Sequence, residues 1–219
     1  MVVIEEREFE RFPPFVTWTL IAANVAVFFA EVMEPQILDT FAFVPAYLLN
    51  GNGFLKIFGV MTIFTSMFLH ADIIHLLSNM YVLWVFGDDC ENVYGRRRFT
   101  IFYFTCGVGA SLLYTITTSS PEIPCIGASG ALFGVLAAYA IFFPTRRLYV
   151  SISFYLLPVP AILYVLFYAI FEFLYTLSGI NPYIAHTAHI GGFLTGVMLS
   201  ILFRVTARPR IYRTRRRWW

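Results

Sequence analysis

The 219 residues are 59% hydrophobic and only 13% charged, with a formal net charge of +2. A mean hydropathy of +0.73 excludes an ordinary soluble domain, whose exterior must be polar enough to face water. Three cysteines, Cys90, Cys106 and Cys125, are odd in number and lie on different segments, which excludes a disulfide framework.

The chain opens with a flank, residues 1–14, that carries Glu5, Glu6, Glu8 and Glu10 where a secretory signal would be basic. No small-residue cleavage site follows the first apolar run, Phe15–Val32, so that run is expected to remain as a membrane anchor. A second apolar region runs from Phe54 to Phe86 and is interrupted at His70, Ala71 and Asp72. Two spans would need a reversing connection there, and the interruption is too short to supply one. The reading is one crossing helix ending near Phe86, preceded by a stretch, Phe41–Phe68, lying on or partly in the outer leaflet.

Four more stretches reach the ~20 residues that cross ~30 Å of hydrocarbon: Phe99–Thr117, Ile126–Phe143, Leu148–Leu177 and Ile184–Phe203. The total is six. Pro158 and Pro160 are expected to kink or interrupt the cytoplasmic end of the fifth. Residues 15–206 form one membrane domain, with no linker or repeat to divide it, and 207–219 form a basic tail. The fold class expected is an all-α membrane protein, a bundle of six transmembrane helices.

Basic residues support that count, because Lys and Arg concentrate in cytoplasmic loops. With six spans, Arg7, Arg11, Arg96, Arg97, Arg98, Arg146, Arg147, Arg204 and the tail arginines all fall on one side, and only Lys56 falls on the other. Both termini are then cytoplasmic. An integral membrane protein is expected, and the lack of an organelle-targeting segment points to a prokaryotic plasma membrane.

Polar groups within a bilayer are costly and mark pathways or active sites. The second span holds His70, His75 and Asn79; the fourth opens with Gly127, Ala128, Ser129 and Gly130; the sixth holds His186 and His189. Ser129 lies 17 residues before Arg146, Asn79 lies 17 before Arg96, and His189 lies 15 before Arg204. At ~1.5 Å per helical residue all three sit roughly 22–26 Å from the basic end, at one level just below the outer surface. Small residues allow the backbones to approach: Gly130 and Gly134 form one GxxxG pattern, Gly192 and Gly196 another. The fourth and sixth helices are therefore expected to pack together.

A serine hydroxyl needs a base to accept its proton, and neutral histidine suits that role. Ser129 is the candidate nucleophile and His189 the base. No Asp or Glu lies near His189 in sequence, which predicts a Ser–His dyad rather than a triad. Ser129 near a helix start offers backbone N–H groups to an oxyanion, and His75 and Asn79, four apart on one helix face, offer side-chain donors.

His70, His75 and Asn79 in the second span, Gly127 to Gly134 in the fourth and His189 to Gly196 in the sixth resemble the rhomboid family of intramembrane serine proteases. The resemblance runs from the first span to the sixth. It implies a six-helix bundle with Ser129 as nucleophile, His189 as base, and His75 and Asn79 in the oxyanion site. It further implies that Gly127 lets a substrate strand approach, that Phe133 packs beside the His189 ring, and that His70 has a structural role in holding the outer loop. The substrates implied are single-pass membrane proteins, cut near the extracytoplasmic face where the helix can unwind. A helical peptide bond is shielded by its own turn, so it must become extended before a serine attacks it.

His70 and His186, nearer the outer surface, are expected to be solvated or locally hydrogen-bonded. Four histidines at one end raise the question of zinc, but no carboxylate or thiolate shares their motifs, so neither metal nor other cofactor is expected. Glu172 in the fifth span either lines a water route or hydrogen-bonds within the bundle; a structural role is favoured. The tail is expected to rest on anionic membrane lipids, and nucleic-acid binding is excluded for so short a basic segment at a membrane. The competing functions are a non-catalytic rhomboid-like protein that binds clients without cutting, and a channel or transporter. The latter usually carries polar groups through the midplane, whereas here they gather at one end.

Overall fold

The computed structural model describes residues 3–5, 13–152, 155–178 and 185–206. The basic tail, most of the acidic N-terminal flank and the loop after Ser178 lie outside the described residues.

Helix α1 is Phe15–Met33, followed by two short helices, α2 (Gln36–Phe41) and α3 (Pro45–Leu49). Helix α4 (Gly53–Thr65) starts at an N-cap, Asn52, whose side chain accepts the Leu55 N–H. A 3-10 turn, Ser66–Phe68, ends it. The chain then bends by 83° and enters a continuous helical rod: α5 (Ile73–Val82), a widened turn at Leu83–Gly87, and α6 (Asp88–Tyr94). The second crossing helix thus runs past the expected end near Phe86, and the stretch before it lies across the rod rather than along it. Helices α7 (Arg96–Thr117), α8 (Ser129–Phe142), α9 (Ala161–Ser178) and α10 (His186–Thr206) complete the bundle.

Among the described residues α1, α7, α9 and α10 are each long and apolar enough to cross a membrane; the bent pair counts as one more, and α8 is shorter. Six spans are consistent with this. The bundle is inside-out by soluble standards only at its rim: Phe29, Phe54, Ile74, Ile116, Phe167 and Leu177 are all exposed, as a lipid-facing surface requires.

The expected fifth span, Leu148–Leu177, is corrected at its start. Residues Arg147–Ile152 form β2 and Tyr155–Pro160 form β3, an antiparallel hairpin, and the helix begins only at Ala161. Leu148 and Val150 are buried while Arg147, Tyr149 and Ser151 are less so, a period of two that suits a strand. Strand β1 (Val3–Glu5) pairs with the other side of β2, so β3 is an edge strand. Pro158 and Pro160 lack an N–H and are tolerated there. The all-α expectation therefore holds for the bundle, with a three-stranded sheet added at its basic end.

The core is built around α8, which is buried along nearly its whole length and packs with α7 and α10. Its two glycines, Gly130 and Gly134, lie against Gly192 and Gly196 of α10. A Cβ at Gly192 would collide with the Gly130 carbonyl, and one at Gly196 with the Gly134 backbone. The backbones touch directly because neither helix places a side chain between them.

At the basic end, buried acidic residues tie the elements together. Glu91 accepts from the N–H groups of Val16 and Thr17 and from the Thr17 hydroxyl, capping α1 from α6. Asp89 holds Arg146 at 2.6 Å, and the Arg146 guanidinium lies 4.0 Å from the Phe143 ring centroid. At the opposite end the Phe43 and Cys125 backbones exchange two hydrogen bonds, and Gly127 N–H donates to the Ser66 carbonyl, so the loop before α8 is pinned to the α4 region.

Candidate active site

Ser129 is the first residue of α8. The first backbone bond into this helix runs from Leu132 N–H to the Ala128 carbonyl, so the N–H groups of residues 129–131 have no partner within the helix. His189 is one turn into α10. Where the glycine seam brings the helices together, His189 Nε2 lies 2.8 Å from Ser129 Oγ. The Phe133 ring, one turn after Ser129, is stacked on the imidazole at 4.6 Å between centroids and 11° between planes. With Nε2 unprotonated the imidazole can take the hydroxyl proton, which is the arrangement acyl transfer requires.

The second crossing helix supplies the other side. Asp72 is the N-cap of α5 and its Oδ1 accepts the His75 N–H at 2.8 Å, fixing the turn that carries His75. Asn79 follows one turn on and is buried; its Nδ2 has no hydrogen-bond partner among the described residues. A cavity of about 880 Å³ is lined by His75, Asn79, Gly127, Ser129 and His189 among others. Five of the residues singled out from sequence thus face one space.

Gly127 has φ +111, a conformation side chains rarely adopt, and a Cβ there would lie 2.9 Å from the His75 ring. Its role visible here is to admit the His75 imidazole beside the loop. Cys125 also lines the cavity, but burial pushes its thiol up to about 12. At neutral pH it is a protonated wall and offers no second nucleophile.

His70 and His186 depart from the solvated alternative. His70 is 1% exposed; its backbone N–H donates to the Glu31 carboxylate at 3.2 Å, and its ring meets His75 edge-on at 5.0 Å. His186 is buried, and its Nδ1 lies 2.6 Å from Glu172 Oε2. The same oxygen lies 3.0 Å from His189 Nδ1, though off the line of the ring N–H, so that nitrogen has no formed hydrogen bond.

A carboxylate therefore does reach these histidines, contrary to the reading along the sequence. It arrives from α9, and proximity along the chain could not reveal it. Glu172, His186 and His189 each offer one ligand atom, all within 4.8 Å of one another. By donor type such a group could hold a zinc-like cation, but one carboxylate oxygen already lies 2.6 Å from His186 Nδ1, with the hydrogen bond formed, and 3.0 Å from His189 Nδ1.

Comparison with known proteins places this geometry in context. The family model for the rhomboid domain matches residues 58–206. The chain is 28% identical over 235 residues to RHOMBOID-like protein 1 of Arabidopsis thaliana, covering 92% of this chain and 57% of that protein. It is 29% identical over 206 residues to the mitochondrial Rhomboid protein 1 of Saccharomyces cerevisiae, covering 87% and 56%. It is 30% identical over 208 residues to Rhomboid protease AarA of Providencia stuartii, covering 85% and 72%. The chain spans about half the length of the first of these curated relatives.

Proposed function

The chain belongs to the rhomboid family, and on that premise we propose that it is an intramembrane serine endopeptidase with Ser129 as nucleophile and His189 as base. The observation that carries this reading is the 2.8 Å contact between Ser129 Oγ and His189 Nε2, made across two helices at the mouth of a cavity.

In the proposed reaction His189 Nε2 accepts the Ser129 proton as Oγ adds to the scissile carbonyl. The carbonyl π bond opens, and the oxyanion is met by the free N–H groups at the start of α8, by Asn79 Nδ2 and by His75. Collapse breaks the C–N bond, and His189 returns its proton to the leaving amine. Water then repeats the sequence on the acyl-enzyme, with His189 taking its proton and giving one back to Ser129. The helices that carry the dyad cannot part easily, because their backbones are in contact through Gly130, Gly134, Gly192 and Gly196.

The substrates proposed are single-pass membrane proteins, whose helix unwinds into the cavity near the extracytoplasmic face, with both termini of the enzyme cytoplasmic. Supporting this, the dyad lies at the opposite end of the bundle from Arg96, Arg146 and Arg204.

The test is to purify the full chain in detergent, expose it to a fluorescent fluorophosphonate, and assay a single-pass transmembrane test substrate. The wild type is expected to be labelled and to cut; Ser129→Ala and His189→Ala are expected to do neither. Cleavage that persists in Ser129→Ala removes the assignment, and a wild type that binds the substrate without labelling or cutting returns the non-catalytic client-binding reading.

A further inference from the structure

We propose that Glu172 is a positioning residue for His189, making the dyad a three-member array whose third member comes from the fifth helix. The inference rests on the peptidase reading above and deepens it.

Neutral imidazole carries one ring proton, and the Ser129 hydroxyl can be activated only if that proton is on Nδ1, leaving the Nε2 lone pair toward Oγ. Nothing on α8 or α10 selects that tautomer: Phe133 fixes the plane of the ring but has no polar atom. His189 Nδ1 is buried and has no hydrogen-bond partner among the described residues, while Glu172 Oε2 stands 3.0 Å away. A carboxylate oxygen only accepts, so it favours the proton on Nδ1. It also stabilises the imidazolium that forms when Ser129 loses its proton.

His186 steadies the carboxylate. Its Nδ1 lies 2.6 Å from the same Oε2, with the hydrogen bond formed, and its ring stands perpendicular to that of His189 at 6.3 Å. One oxygen thus bridges two imidazoles. Glu172 shares the wall of a small cavity with Phe133, Ala169, Ile170 and Phe193, an apolar surround in which a charge acts strongly on its nearest neighbours. The titratable groups facing the His189 ring are Glu172 from α9, His186 from α10 and His75 from α5.

A tie that merely held α9 to α10 would have no reason to affect proton transfer, and this separates the two roles. The full chain in detergent is assayed for kcat, KM and the pH dependence of kcat/KM as wild type, Glu172→Gln and Glu172→Ala. Glu172→Gln keeps the shape and an acceptor oxygen but not the charge. Its kcat is expected to fall on the order of tenfold to a hundredfold with KM within about twofold, less than the ~10⁴ lost when an aligned triad aspartate is replaced. Its acid limb is expected to move relative to the wild type, because the base has lost a neighbouring negative charge. Glu172→Ala is expected to fall further in kcat.

Wild-type kcat and an unmoved acid limb in Glu172→Gln overturn the proposal while leaving the peptidase reading intact. So does a loss of thermal stability in both variants with the acid limb unmoved, which makes Glu172 a structural tie. The wild type is also assayed in EDTA, where full activity is expected; loss on chelation and recovery with zinc overturn the proposal by making the cluster a metal site. A wild type that does not cut fails the peptidase reading itself, and is distinguished by its lack of fluorophosphonate labelling.

Discussion

The carboxylate of Glu91 accepts the Thr17 backbone N–H at 2.8 Å and the Thr17 hydroxyl at 2.9 Å, joining the end of the second crossing helix to the start of the first. Thr17 is fully buried and Glu91 is 3% exposed. The first N–H groups of a helix have no internal acceptor, and in an apolar surround water cannot replace one. Glu91→Ala leaves three donors unpaired and is expected to cost about 2 kcal/mol or more. The measurement is the midpoint of denaturant-induced unfolding in detergent. An unshifted midpoint rejects the cap, whereas Glu91→Gln, which keeps an acceptor oxygen, is expected to lose less.

The seam between α8 and α10 allows a sharper test. At Gly192 a single added carbon would collide with the backbone carbonyl of Gly130, a group that cannot rotate aside. Gly192→Ala is therefore expected to force the helices apart and to lengthen the Ser129–His189 contact. A displacement of about 1 Å in a reacting geometry can cost on the order of a hundredfold in rate. Gly53→Ala is the control, since nothing lies within 4 Å of the position its Cβ would take. If Gly192→Ala cuts the test substrate as fast as Gly53→Ala, the close approach is not what assembles the dyad.

How much of this could be read from the sequence depended on one ruler. Counting helical residues from the arginines puts Ser129, Asn79 and His189 at one level, and all three line one cavity. The ruler works because α8, the α5–α6 rod and α10 run unbroken, or nearly so, to their basic ends. It fails for Glu172, because the β2–β3 hairpin takes up residues 147–160 and the helix starts only at Ala161. Counted from Arg147 as though helical throughout, Glu172 falls roughly 37 Å from the basic end, beyond the level of the cluster; in the fold it stands beside His186 and His189. The two prolines signalled the interruption but not its length. Asp72 was a different kind of omission. It carries an N-cap signature three residues before His75, and capping rules alone identify it.

Gly127 joins backbone strain to the site. Its φ of +111 is one that an alanine adopts only at a cost of roughly 1–2 kcal/mol, and the added Cβ would press on the His75 ring at 2.9 Å. Gly127→Ala is expected to lower the unfolding midpoint modestly and to reduce kcat more than tenfold, because the loop that presents Ser129 and the imidazole opposite both have to move. Full activity would show that the loop relaxes without disturbing either.

Asn79 separates catalysis from stability most cleanly. Most buried polar side chains are hydrogen-bonded, so their removal weakens the fold. Asn79 Nδ2 is buried in the cavity wall with no partner among the described residues. Deleting it breaks no bond of that donor in the resting state, and the unfolding midpoint of Asn79→Ala is expected to stay level or rise. If the amide is held for an oxyanion that exists only during turnover, the loss appears in kcat, on the order of 10²–10³ for one such donor, with KM little changed. The opposite pattern, a lower midpoint with kcat preserved, would make Asn79 a packing residue and leave the oxyanion to His75 and the start of α8. Residual labelling of Asn79→Ala by a fluorophosphonate is expected in either case, since Ser129 and His189 keep their 2.8 Å contact.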